Sequence, residues 1–345
     1  MSSLAEQIDR LAGALRVTPG TMRVLLGIFL ALAAGTIARL AHLHRLPPEQ
    51  GRSLLMRLRT WWIIAAVLAA TCVLGPIAGT VLMAAASLLA LHEYLGLVPE
   101  ERRLRGLEPL ALAAGALQYL WVVLGRDELF FAFVPVITFL LLTTALVLRR
   151  RPDEFLHQAG TLHWGMLLLV FCLSHAAWLL ALPPEGNPAG GAIGWFLYLV
   201  LLTEFNDICQ ALWGRPFGRH KIIPEISPGK SWEGLVGAAA CTAVLAVLLA
   251  PLLTPLAATP PRLEGTALDA DWLVPPWVVA LALLLSLAGF LGDITISALK
   301  RDVGVKDSGR LLPGQGGILD RVDSLTYTAP LFAYLVRFLY PGGGA

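Results

Sequence analysis

Charge is what this chain has least of. Asp, Glu, Lys and Arg make up only 14% of its 345 residues, against 57% hydrophobic ones, and the mean hydropathy is +0.70. A water-soluble domain does not have that balance; a chain that crosses a membrane repeatedly does. Cysteine is nearly absent. Cys72, Cys172, Cys209 and Cys241 are scattered through apolar stretches, which excludes a disulfide frame and a zinc site with its paired spacing. There is no internal repeat and no separate soluble domain. A convincing nucleophile–base pair is also missing. The net charge of +2 decides little, because in a membrane protein the location of charge matters more than its sum.

What the chain does have is about ten apolar segments, at 22–43, 61–75, 77–92, 109–124, 128–148, 162–182, 192–213, 234–256, 274–298 and 324–340. The second and third are short for a span of about 20 residues and meet at Gly75-Pro76, so they form either a tight helical hairpin or one broken element, leaving nine. Loop charge agrees with the larger count. The loops at 44–60, 93–108, 149–161, 214–233 and 299–323 carry 4, 3, 3, 4 and 5 Lys/Arg, while the alternate loops carry only Arg126 and Arg262. By the positive-inside rule the first group faces the cytoplasm. Ahead of the first segment, Leu4, Ile8, Leu11 and Leu15 recur at helical spacing up to Thr18-Pro19-Gly20, which reads as an amphipathic leader helix. No cleavable signal is evident, since more spans follow directly. The expected architecture is an all-α polytopic membrane protein. It divides into a leader at 1–21, N-terminal spans over 22–190 and a C-terminal half over 191–345. The 257–273 stretch reads as an external connector.

The scarce charge is concentrated. Leu291 to Asp323 holds five acids (Asp293, Asp302, Asp307, Asp320, Asp323) and five bases (Lys300, Arg301, Lys306, Arg310, Arg321) between two apolar segments. Ions at a membrane boundary are costly unless they pair or bind something. If the preceding helix continues, Asp293, Ser297 and Arg301 share one face. If the next helix starts early, Asp320 and Asp323 share another. Gly304, Gly309, Gly314, Gly316 and Gly317 between them allow close approach of backbone to a ligand. Carboxylates and cations facing across such a gap suit a metal-bridged polyphosphate, with hard oxygens for Mg²⁺ and Lys/Arg for phosphate. The plainer alternative is a solvated cytoplasmic loop that only sets topology.

A second constellation spans Glu204 to Gly234. Glu204, Asn206, Asp207 and Gln210 lie inside an apolar segment, so their flank must face protein, water or substrate. Asn206 and Gln210 serve equally well as hydrogen-bonding partners of neighbouring helices, whereas a carboxylate at Asp207 needs a cation. After the basic run Arg215, Arg219, His220, Lys221 comes Ser227-Pro228-Gly229-Lys230-Ser231-Trp232-Glu233-Gly234. Pro228-Gly229 marks a turn and Ser231 a helix cap, so Lys230 and Ser231 sit at a plausible anion cradle.

Ser297-Ala-Leu-Lys-Arg, Lys306-Asp-Ser-Gly and Pro313-Gly-Gln-Gly-Gly-Ile-Leu-Asp-Arg-Val-Asp together resemble the motif of the phosphatidate cytidylyltransferases (CDP-diacylglycerol synthases). The Ser227 to Gly234 run is similar to that family too, and Asp207 matches its upstream acid. The resemblance covers roughly 190–340. Leu91-His92-Glu93-Tyr94 also looks like a family feature, but Glu93 reads equally well as an interfacial acid and is assigned no role. Two departures stand out. Gln315-Gly316-Gly317 replaces the usual His-Gly-Gly, and Asp-Ile-Cys-Gln-Ala replaces the usual Asp-Thr-Gly-Ala-Tyr after the upstream acid. Glutamine hydrogen-bonds but does not titrate. If the family's histidine only orients a ligand, Gln315 serves; if its charge matters, the enzyme is slow or adapted to another lipid phosphate.

The resemblance implies transfer of CMP from CTP to phosphatidate in a bacterial inner membrane, with the site facing the cytoplasm and a homodimer as the assembly. It implies Mg²⁺, with a second cation such as K⁺ as a further expectation. Asp293 and Asp320 are the candidate metal ligands, with Asp323 and Asp207 as additional ones. Lys230, Lys300, Arg301 and Lys306 are candidates for phosphate oxygens. Ser227, Ser231 and Ser297 would donate hydrogen bonds, with Gly229, Gln315, Gly316, Gly317 and Arg321 completing the substrate contacts. Competing readings are a sibling acting on another lipid phosphate, a non-catalytic relative, and a transporter.

Overall fold

A computed structural model describes residues 4–41, 43, 47–98, 106–149, 154–257, 274–309, 311 and 316–339. The expected connector from 258 to 273, the basic stretch 99–105, Arg310 and Gln315 lie outside the described residues. Every long element is a helix, as lipid requires of a chain that must satisfy its own backbone. They are α1 (Leu4–Ala14), α2 (Pro19–Leu40), α3 (Pro48–Leu74), α4 (Pro76–Leu97), α5 (Glu108–Val123), α6 (Asp127–Leu148), α7 (Phe155–Ala181), α8 (Gly191–Phe217), α9 (Trp232–Leu253), α10 (Val274–Asp302), the short α11 (Leu319–Val322) and α12 (Leu325–Leu339). Eight of these are long and apolar enough to cross a membrane, and α5 is a shorter apolar helix. With α12 they match the ten apolar segments one for one, and the protein is an all-α polytopic membrane protein.

The doubtful second and third segments are two full helices of 27 and 22 residues. Gly75 breaks the chain between them at φ 96°, a conformation that favours glycine, and Pro76 starts α4 where no amide is needed. Several helices outrun their apolar segments. The 44–60 stretch, expected as a loop, is helical from Pro48 and carries Arg52, Arg57 and Arg59 on α3. α8 likewise runs to Phe217 and α10 to Asp302. Apolarity marks the thickness of the lipid, while the hydrogen-bond ladder continues into the interface. Thr18 does not end the leader helix, which stops at Ala14; its hydroxyl instead accepts the Thr21 amide at 3.2 Å and caps α2.

The C-terminal half is built around α8, which packs along α9 and also meets α10 and α12. Asn206 ties three of these together. Its Oδ1 accepts Ser286 Oγ at 2.6 Å and Thr242 Oγ1 at 3.4 Å, and its Nδ2 donates to the Ser286 carbonyl at 3.3 Å. Thr203 adds a bond to Thr328 on α12 at 3.0 Å. Such bonds between spans contribute on the order of 0.6 kcal/mol each. Asn206 is therefore a packing residue. On α10, a Cβ at Gly292 would come within 2.5 Å of the Asp323 carbonyl oxygen, so only glycine lets α10 lie this close to the turn before α12.

Candidate active site

The polar end of α10 carries the expected face. Ser297 Oγ donates to Asp293 Oδ1 at 3.2 Å, one turn away. Arg301 is exposed, and two of its donors go to backbone: Nε to the Ile226 carbonyl at 3.1 Å and Nη1 to the Val305 carbonyl at 3.3 Å. It thus fastens the loop between α8 and α9 onto α10.

That loop folds largely on its own backbone. Lys230 N donates to the Ser227 carbonyl at 3.1 Å across Pro228-Gly229, and a single β-bridge joins Lys221 and Ser231. Ser231 caps α9 as expected, its Oγ accepting the Gly234 amide at 3.2 Å. Glu233 accepts both the His220 amide, at 3.2 Å, and its ring Nδ1, at 2.6 Å, which closes the base of the loop. The product of this scaffold is one inward side chain. Lys230 Nζ is ion-paired with Asp293, donates to Gln210 Oε1 at 2.7 Å, and lies 5.8 Å from the centre of the Phe290 ring.

The glycine-rich segment between α10 and α12 is held differently. Asp320 Oδ1 pairs with Lys300 Nζ at 2.6 Å, and its Oδ2 accepts the Ser308 amide at 3.0 Å, the Ser308 hydroxyl at 3.2 Å and the Gly317 amide at 3.0 Å. Burial alone would raise this carboxyl. The Lys300 ammonium and the two amides outweigh it and hold Asp320 below its ordinary value. A second carboxylate, Glu93 at the end of α4, accepts the Ile318 and Leu319 amides, each at 3.0 Å, and the Ser308 hydroxyl at 2.9 Å. Sequence reasoning assigned Glu93 no role; its only signal was the resemblance of Leu91 to Tyr94. Gly317 and Gly309 run against Glu93, and Gly316, at φ 87°, runs against Asp320. In this structure the Gly317 amide therefore serves a carboxylate of the protein itself, where a phosphate had been expected.

Behind these pairs lies a half-buried group of ionisable side chains. Asp207, Asp293 and Asp323 are near enough to repel one another, with Lys230, Lys300 and Arg321 as neighbouring cations and Glu204 close to Asp207 and Arg321. Asp207 Oδ1, Gln210 Nε2 and Arg321 Nε are buried without hydrogen-bond partners. Buried polar atoms left open in this way ask for a water, an ion or a ligand. Lys306 and Gly229 are exposed, and Ser227 and Ser231 are engaged in the turn and the cap.

Among the described residues no three His, Cys, Asp or Glu side chains are grouped to hold a metal by themselves. A nucleotide-bound Mg²⁺ does not need such a cage, because one or two carboxylates suffice when phosphates and water complete the shell. Asp207, with its open oxygen, and Asp293 fit that donor set. Asp320, whose oxygens already accept four donors, fits it less well.

The sequence profile of the cytidylyltransferase family matches residues 55–339, which include all of these elements. This chain belongs to the cytidylyltransferase family. It is 42% identical over 313 residues to the uncharacterized protein YnbB of Escherichia coli K12, covering 90% of this chain and 96% of that one. It is 30% identical over 305 residues to the phosphatidate cytidylyltransferase of Mycobacterium bovis, covering 84% and 90%. With the corresponding enzyme of Haemophilus influenzae it shares 36% identity over 143 residues, 41% of this chain and 46% of that one. A cytidylyltransferase-family protein with eight long apolar helices is a multi-pass membrane member of a nucleotidyltransferase family.

Proposed function

We propose that the protein transfers CMP from CTP to a membrane lipid phosphate, in the first instance phosphatidate, yielding a CDP-lipid and pyrophosphate. The observation that carries this reading is the half-buried group Asp207, Lys230, Asp293 and Arg321, with the buried open atoms Asp207 Oδ1 and Arg321 Nε, at the ends of spans beside two basic loops. An oxygen of the lipid phosphate attacks the α-phosphorus of CTP as the bond to the β-phosphate oxygen breaks. The attacking group is already ionised near neutral pH, so no general base is needed, in keeping with the lack of a nucleophile–base pair. The obstacle is electrostatic, and fixed positive charge meets it.

Lys230 and Lys300, each now resting on a carboxylate, would take triphosphate or lipid phosphate oxygens. Arg321 would add its open buried donor, and Lys306 is exposed and free to add charge. Mg²⁺ at Asp207 and Asp293 would supply charge neutralisation of the triphosphate. The basic loops favour a cytoplasmic face of a bacterial inner membrane, where CTP is available.

The test uses purified protein in vesicles, with CTP labelled in its cytosine. Label should appear in an organic-extractable product, Mg²⁺-dependently, with phosphatidate and other lipid phosphates offered in parallel. Transfer to another lipid phosphate alone would overturn the substrate, and label that stays water-soluble with every acceptor would overturn the reaction.

A further inference from the structure

We propose that Glu93, more than two hundred residues away from the segment it holds, is a positioning residue for the nucleotide end of the site. It acts through Ser308 and the backbone of Gly317, Ile318 and Leu319 on the Asp320–Lys300 pair. This rests on the CTP reading above. Three consecutive amides enter α11, and two carboxylates divide them: Gly317 donates to Asp320, while Ile318 and Leu319 donate to Glu93. The Ser308 hydroxyl lies within reach of both acids, at 2.9 Å from Glu93 and 3.2 Å from Asp320. A hydroxyl has one hydrogen to give, so this one is shared between the two carboxylates. Hydrogen bonds to a carboxylate are about twice as strong as neutral ones, and Glu93 accepts two amides and a share of that hydroxyl.

The path of the backbone is fitted to Glu93. A side chain at Gly309 or Gly317 would collide with its carboxylate. Its own base is rigid. The neighbouring Tyr94 is buried, its hydroxyl donates to the Thr161 carbonyl at 2.8 Å, and Gly165 of α7 leaves room for its ring. Glu93 is thus a fixed post set by the N-terminal spans, around which the catalytic segment is wound. Among the described residues Glu93 bonds to neither Lys300 nor the open atoms of Asp207 and Arg321, so its influence on the substrate passes through Asp320.

Glu93→Gln tests this, because an amide NH₂ in place of one oxygen would face a backbone N–H. In the full-length protein without ligand, hydrogen exchange of peptides spanning 308–322 should quicken about 10-fold while other spans exchange as in the parent. In the transfer assay, KM for CTP should rise about 10-fold with KM for the lipid unchanged. Ser308→Ala, which leaves α4 untouched, should shift both readouts in the same direction by a smaller factor, and it decides the matter if Glu93→Gln does not fold. Unchanged exchange overturns the proposal. So does a loss of kcat with both KM values unchanged, which is what a merely structural defect reduces. If the parent transfers nothing from CTP, the functional reading fails instead, and the exchange measurement still judges whether Glu93 sets the segment.

Discussion

Two lysine–carboxylate pairs frame the site, and they are built in opposite ways. Lys230 and Asp293 pair across a loop and a span, and among the described residues Asp293 has in addition only the Ser297 hydroxyl. Lys300 and Asp320 also join a span to a loop, but Asp320 accepts three further donors and its side chain is only 6% exposed, against 21% for Asp293. The first pair can open at little cost to the fold, since its members have few other partners. The second is committed to architecture as well as charge. On the proposed function, chemistry that needs a free carboxylate would fall to Asp293 and electrostatic support to Asp320.

The sharpest way to break that contrast is Asp293→Asn. It should lower CTP-dependent transfer by about 10³-fold while thermal unfolding stays within a few degrees of the parent. Asp320→Asn should lower both. It leaves Lys300 buried without its partner, so a stability loss of about 3 kcal/mol is expected, read as an earlier unfolding transition. The gap between parent and Asp320→Asn should also depend on pH. The folded carboxyl sits below its unfolded value of about 3.9, so its contribution is complete above about pH 5 and fades as pH falls through the folded value. Unfolding curves taken toward pH 3 should therefore converge; a gap that widens in acid would refute the assignment.

The glycines extend the comparison from side chains to backbone. Gly317→Ala drives a methyl into Glu93 and Ser308, whereas a Cβ at Gly229 would meet nothing within 4 Å. The first should cost about 10-fold in transfer and the second about 2-fold or less. The smallest effect belongs to Ser231→Ala, which removes the α9 cap for about 1 kcal/mol of stability, measurable by unfolding with KM values near those of the parent.

Much of this was legible in the residues themselves. The ten helices follow from hydropathy, and the Ser231 cap and the Pro228-Gly229 turn follow from local chemistry. The shared face of Asp293 and Ser297 follows from helical spacing. What was not legible depends on distant partners. Nothing near Arg301 in sequence says that it will spend its donors on the Ile226 and Val305 carbonyls. The glycines at 316 and 317 declared close approach but not what approaches, and the answer, two carboxylates, includes one from the other half of the chain. Helix ends were misplaced for a related reason: Arg52, Arg57 and Arg59 read as loop because polarity reports the lipid boundary and not the end of the helix.

Glu93 also imposes an order in time. Ribosomes deliver α4 early, and its carboxylate must wait through 225 further positions before Ile318 arrives to be held. Until then the last third of the molecule has no template for its reactive segment. On the proposed role of Glu93, competence for transfer comes late in synthesis, when residues 317–319 close on a helix made far earlier.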